Sequence, residues 1–139
     1  MLIHGTAVAI AGRAVLLTGP SGCGKSDLAL RLIGDGAALV ADDAVAIAYE
    51  GESLVVHRPD RGSDRLTVRG VGVIAAARSS ESAPFALAIR LVAAPLDDLE
   101  PQLGAAGPWD GVSIPEIALY PFEASASAKV LLALDRFGH

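Results

Sequence analysis

With one cysteine among its 139 residues, the chain cannot form an internal disulfide. That usage fits a reducing compartment, so a cytoplasmic location is expected. Aromatic residues are scarce, at one Trp, two Tyr and three Phe, which leaves alanine and valine to fill the core. No block of basic residues occurs and the net charge is −5. This argues against nucleic acid as the main partner. No apolar run approaches the roughly 20 residues that a membrane-spanning helix needs. The N-terminus also lacks a basic segment followed by a long apolar one, so neither a membrane nor a signal peptide is expected. The three histidines are scattered and suggest no metal cluster.

The residues present are 52% hydrophobic, with 15 glycines and 8 prolines. They describe a loop-rich globular chain, read as one domain over residues 1–139. The most informative stretch is Gly19-Pro20-Ser21-Gly22-Cys23-Gly24-Lys25-Ser26. It fits the G-x-x-x-x-G-K-[ST] pattern of a phosphate cradle throughout. Its glycines let the backbone turn tightly and aim N–H groups inward, and the following helix adds its positive end. Lys25 would reach the β- and γ-phosphates of ATP, and Ser26 would hold Mg²⁺ through its hydroxyl. Cys23 occupies a free position of the pattern and reads as a small residue that fits. The flanks agree, with an apolar strand over 13–18 and an amphipathic helix over 26–33.

A short apolar run over 37–41 follows and ends in Asp42-Asp43. A strand–helix–strand unit is normally a parallel crossover, so both strands end on one edge of the sheet, where ligands bind. The two acids are therefore expected beside the phosphate loop. One can serve Mg²⁺ and the other can accept a proton from an attacking hydroxyl. Their side chains point to opposite faces if the strand continues.

Elsewhere the chain reads as strands. They are expected over 2–10, in a hairpin over 44–49 and 53–57, and over 85–92. An apolar segment with two glycines covers 66–74. Residues 58–64 form a polar loop, and the Pro- and Gly-rich stretch 95–109 is expected to be the least ordered. A strand lies within 111–120, made an edge or a bulge by Pro115. A last helix covers 124–137, with Val130, Leu131, Leu134 and Phe137 facing the core. Two helices against about eight strands give an α/β fold with a mixed, strand-rich sheet.

His4-Gly5, the phosphate loop, Leu39-Val40-Ala41-Asp42-Asp43 and the segment Val68 to Ile74 occur in this order. Together they resemble the catalytic, C-terminal domain of bacterial HPr kinase/phosphorylase. The likeness is strong over 2–74 and weak beyond, and it leaves the family's N-terminal domain without a counterpart. It implies a P-loop fold similar to that of phosphoenolpyruvate carboxykinase, assembled as a hexamer. It also implies ATP-dependent phosphorylation of a serine on HPr, the small phosphocarrier of the sugar phosphotransferase system, and reversal of that reaction. Lys25 and Ser26 match the phosphate lysine and the Mg²⁺ serine. Asp43 matches the proton acceptor, Asp42 its acidic neighbour that serves Mg²⁺ or orients His4, and His4 an active-site histidine. Arg69 lies in the family's signature segment.

The chain also departs from the family. Thr67 stands where the family carries a Mg²⁺-binding glutamate, and Gln102 where it carries an arginine. The stretch Pro115 to Pro121 replaces an arginine-rich segment tied to dephosphorylation. Kinase action is therefore expected to outlast phosphorylase action, with Arg58, Arg61 or Arg65 as a substitute charge. Two other readings stand beside this one. The first is an ATP-binding regulatory module without transfer chemistry. The second is a P-loop kinase for a small metabolite, which would need a lid carrying arginines.

Overall fold

The computed structural model describes residues 1–139. Its first strands are β1 (Leu2–His4), β2 (Thr6–Ile10) and β3 (Arg13–Thr18). The stretch expected as one strand is thus broken at Gly5, whose N–H donates to Asp43 O at 3.0 Å. A Cβ at Gly5 would stand 2.9 Å from Leu17 O, so glycine alone permits this approach. Helix α1 (Lys25–Gly34) follows, then β4 (Ala38–Ala41), β5 (Ala44–Glu50) and β6 (Ser53–His57). The apolar segment after the polar loop is a hairpin of β7 (Arg65–Val68) and β8 (Gly72–Ala75), a separate two-stranded sheet. Gly70, at φ 84°, supplies its turn. Strands β9 (Ser82–Leu91), β10 (Leu103–Trp109) and β11 (Val112–Leu119) precede helix α2 (Ala126–Phe137).

The main sheet has nine strands along the path β1-β5-β6-β9-β3-β2-β4, and β11 and β10 branch from β9. Pairs β3·β9 and β9·β11 are parallel and the others antiparallel. Both β3 and β4 run antiparallel to the intervening β2, so they share a direction and end on the same edge. The expected crossover is present, with one strand inserted between its arms.

Alternation along the strands builds two cores. On β3, Val15 and Leu17 face the layer that holds both helices, while Ala14 and Leu16 face the opposite layer under β5 and β6. Burial of both faces explains the unbroken apolar run at 14–17. Leu17 is 0% exposed. Leu17→Ala is expected to lower the unfolding free energy by about 2–5 kcal/mol in urea titration, through lost transfer energy and a cavity.

Three expectations need correction. Eleven strands form rather than eight. The stretch 95–109 is not structureless, since its second half is β10, paired with β11. Pro115 lies within β11 opposite Ala105, before the residues 116–119 that also pair with β9, so its missing N–H faces no second neighbour. On α2 the buried residues are Ala126, Val130, Ala133 and Leu134, whereas Leu131 is exposed.

Candidate active site

The glycine-rich loop leaves the end of β3 and enters α1 with positive φ at Gly19, Gly22 and Gly24. Side chains there would be strained; one at Gly19 would also collide, and one at Gly24 would crowd its neighbour. A Cβ on Gly19 would lie 2.6 Å from Cys23 Sγ, and one on Gly24 would lie 3.0 Å from the Phe122 ring. Gly24 caps α1 in the left-handed conformation without any side-chain hydrogen bond. The first backbone amides of α1 therefore stay open toward the loop, as an anion site requires. Lys25 is buried, and its Nζ donates to Gly19 O at 2.7 Å and Pro20 O at 3.0 Å. These two bonds hold the ammonium across the loop mouth.

Asp42 is the meeting point of three elements. Its Oδ1 accepts from Thr6 Oγ1 and from Ser26 Oγ, both at 2.8 Å, and its Oδ2 accepts from the Thr67 N–H at 3.3 Å. Strand β2, helix α1 and the β7 hairpin are thereby tied to one carboxylate. Asp43 turns the other way. Its backbone has φ 73°, and Ala44 N–H donates to Asp42 O at 2.9 Å across it, forming a γ-turn. Positive φ makes such a turn rare and strained for a non-glycine residue. The Asp43 side chain is 83% exposed and stands 3.3 Å from His4 Nδ1. The two acids thus occupy different surroundings, as alternation suggests, although β4 ends at Ala41 and the turn does the separating. It is Asp43, not Asp42, that contacts His4.

Between these groups lies a cavity of about 570 Å³, lined by Ser21, Gly22, Lys25 and Ser26 on one side and by His4, Asp43, Thr67 and Arg69 on another. Every residue expected at the centre of the site lines it except Gly19, Pro20, Cys23 and Asp42. Gln102 is absent from this wall, and its carbonyl receives Ala118 N–H at the start of β10. Arg58, Arg61 and Arg65 do not line the cavity either. Arg58 is committed to the carbonyls of Val40 and Leu39, so it supplies no substitute charge. Arg69 is the one arginine on the wall.

Three participants were not legible in the sequence. Thr6 is 0% exposed and hides in an apolar run. Phe122 lines the cavity from the loop before α2, and Arg31 of α1 binds the carbonyls of Pro121 and Glu123 on either side of it. No local motif marks long-range contacts of this kind.

Fold and site together define a strand-rich α/β domain with a glycine-rich loop at its sheet edge and two acids beside it. The model of the HPr Serine kinase C-terminal domain matches residues 1–83, and the chain belongs to that family. An HPr kinase/phosphorylase of Chlorobium limicola is 51% identical over 73 residues, covering 51% of this chain and 22% of the relative. One from Bacillus cereus is 48% identical over 73 residues, covering 52% and 24% respectively. The matched segment thus spans about a quarter of the length of these relatives. The solved structure titled Hpr(Ser) kinase/phosphatase from Coxiella burnetii aligns with TM-score 0.83 at 25% identity. That alignment covers 98% of this chain and 95% of the solved one. No helix is long and apolar enough to cross a membrane.

Proposed function

We propose that the chain is an ATP-dependent serine kinase for an HPr-like phosphocarrier. The observation that carries this reading is the separation of the acids, with Asp42 bonded to Ser26 and Asp43 turned to His4 on the cavity wall. Lys25 and the open amides of α1 would hold the phosphates and take up charge on the transferred group. Asp43, exposed at the rim, would accept the proton of the attacking serine hydroxyl, and His4 would orient that carboxylate. Arg69 would face the transferred group from the hairpin side.

Ser26 and Asp42 fit Mg²⁺, since a hydroxyl and a carboxylate stand at hydrogen-bond distance and both are hard oxygen donors. No three His, Cys, Asp and Glu side chains gather into a metal-binding group. Bound there, Mg²⁺ would neutralise charge on the phosphate oxygens. Thr67 adds no carboxylate, but its N–H fixes the orientation of Asp42.

The absence of Gln102 from the wall, and of any arginine beyond Arg69, supports kinase action with weak or lost phosphorylase action. A cytoplasmic, hexameric enzyme with the phosphoenolpyruvate carboxykinase-like fold completes the proposal. Mass spectrometry of an HPr-like carrier incubated with the protein, ATP and Mg²⁺ tests it. One phosphate gained on a serine, and not with Lys25→Ala, is the expected result. An unmodified carrier with ATP still bound would favour the regulatory module, which Thr67 at the glutamate position also favours.

A further inference from the structure

The phosphate half of the cavity is built from backbone amides, Lys25 and Ser26, and the acids lie beyond it. One wall remains without a role. Phe122 is the single Phe, Tyr or Trp on the cavity surface, which Leu30 of α1 also lines. In a chain with three phenylalanines, this one is 57% exposed rather than spent on the core. Its ring touches the place where a Cβ on Gly24 would be, so it sits directly against the cradle.

The ring is also held. Arg31 Nη1 donates to Glu123 O at 3.1 Å, and Nη2 donates to Pro121 O. These are the carbonyls immediately before and after Phe122, so one planar guanidinium fork fixes the backbone on both sides of it. Tyr120 packs edge-on against the ring, with centroids 5.8 Å apart. Arg31 Nε is left buried and without a partner. An exposed aromatic held this firmly at the mouth of a phosphate loop has the features of a stacking surface.

We propose that Phe122 is the platform on which the base of a purine nucleoside triphosphate stacks, and that Arg31 is the positioning residue that presents it. The inference rests on the reading of the loop as a nucleotide site. Stacking on an aromatic face contributes to affinity with any base, so the platform adds binding strength more than base selectivity.

Calorimetric titration with two probes, ATP and inorganic tripolyphosphate, each with Mg²⁺, separates the base from the phosphates. In Phe122→Leu the side chain keeps its apolar bulk and loses its π-face. ATP affinity is expected to fall on the order of tenfold, while tripolyphosphate affinity holds. Phe122→Tyr restores ATP binding. Arg31→Lys keeps the charge, loses the fork, and gives the same ATP-selective loss in weaker form. Equal weakening of both probes would make Phe122 a prop for the loop and overturn the platform, as would unchanged ATP affinity in Phe122→Leu. If neither probe bound the wild-type chain in a Lys25-dependent way, the nucleotide reading itself would fall, and the platform with it.

Discussion

Asp43→Gly is expected to slow serine phosphorylation by about 10²–10⁴-fold, the range that a positioned general base supplies. The same variant should melt no lower than the wild type. Asp43 holds φ 73°, a conformation that costs a non-glycine residue on the order of 1–3 kcal/mol and that glycine adopts freely. Its carboxylate is 83% exposed, and its only ion-pair partner is His4. Removing it therefore relieves the backbone and sacrifices little packing. Activity and stability should move in opposite directions, read by a phosphorylation rate assay and a thermal melt. Asp43→Ala, which keeps the backbone strain, should lose activity equally and melt below the glycine variant. An Asp43→Gly protein that phosphorylates at the wild-type rate would remove Asp43 from the proposed mechanism.

Lys25→Ala is expected to lower the transfer rate by at least about 10²–10³-fold, the usual effect of deleting one charged donor to a developing anion. It should also weaken ATP binding, because in the proposed role the ammonium would contact the phosphates in ground and transition states alike. Burial makes a stability effect part of the outcome. The lysine is 7% exposed, and its loss removes the ammonium donor from the carbonyls of Gly19 and Pro20, of which Pro20 O still accepts from Cys23 N–H. Lys25→Arg is the informative companion. It keeps the charge but brings a planar fork into a space shaped for a compact ammonium, and it should recover little activity. Measuring kcat and ATP affinity for both variants tests the assignment, which fails if Lys25→Ala binds ATP as tightly as the wild type.

The parts of the site legible in the sequence are those whose geometry is local. Positive φ at Gly19, Gly22 and Gly24 is written directly into residue type. An apolar run that ends in two acids marks a strand meeting the sheet edge. Thr6 was hidden because the run Thr6–Ile10 is buried throughout, so a threonine there looks like any β-branched core residue. Only the fold brings Asp42 within 2.8 Å of it, 36 positions away. Strand β10 was missed for a different reason. Leu103, Gly104, Ala105 and Ala106 carry little apolar pattern, and the strand sits at an outer margin of the sheet where pairing with β11 alone defines it. Leu131 was misplaced because the covered stripe of α2 runs through Ala126, Val130, Ala133 and Leu134, and the adjacent Leu131 and Leu132 both fall outside it.

The break at Gly5 divides the site between two ladders. His4 is registered against Ala44 through β1 and β5, while Thr6 is registered against Leu17 through β2 and β3. The side chain that contacts Asp43 and the side chain that donates to Asp42 thus lie two residues apart in the chain yet answer to separate sets of hydrogen bonds. Because strand side chains alternate, a one-residue slip in either ladder would turn its contact to the opposite face. A slip of β1 along β5 would uncouple His4 from Asp43 and leave Asp42, Ser26 and Thr6 in place. The His4–Asp43 contact can therefore be lost while the Asp42 network stays intact, and the joint between the two ladders is a single glycine.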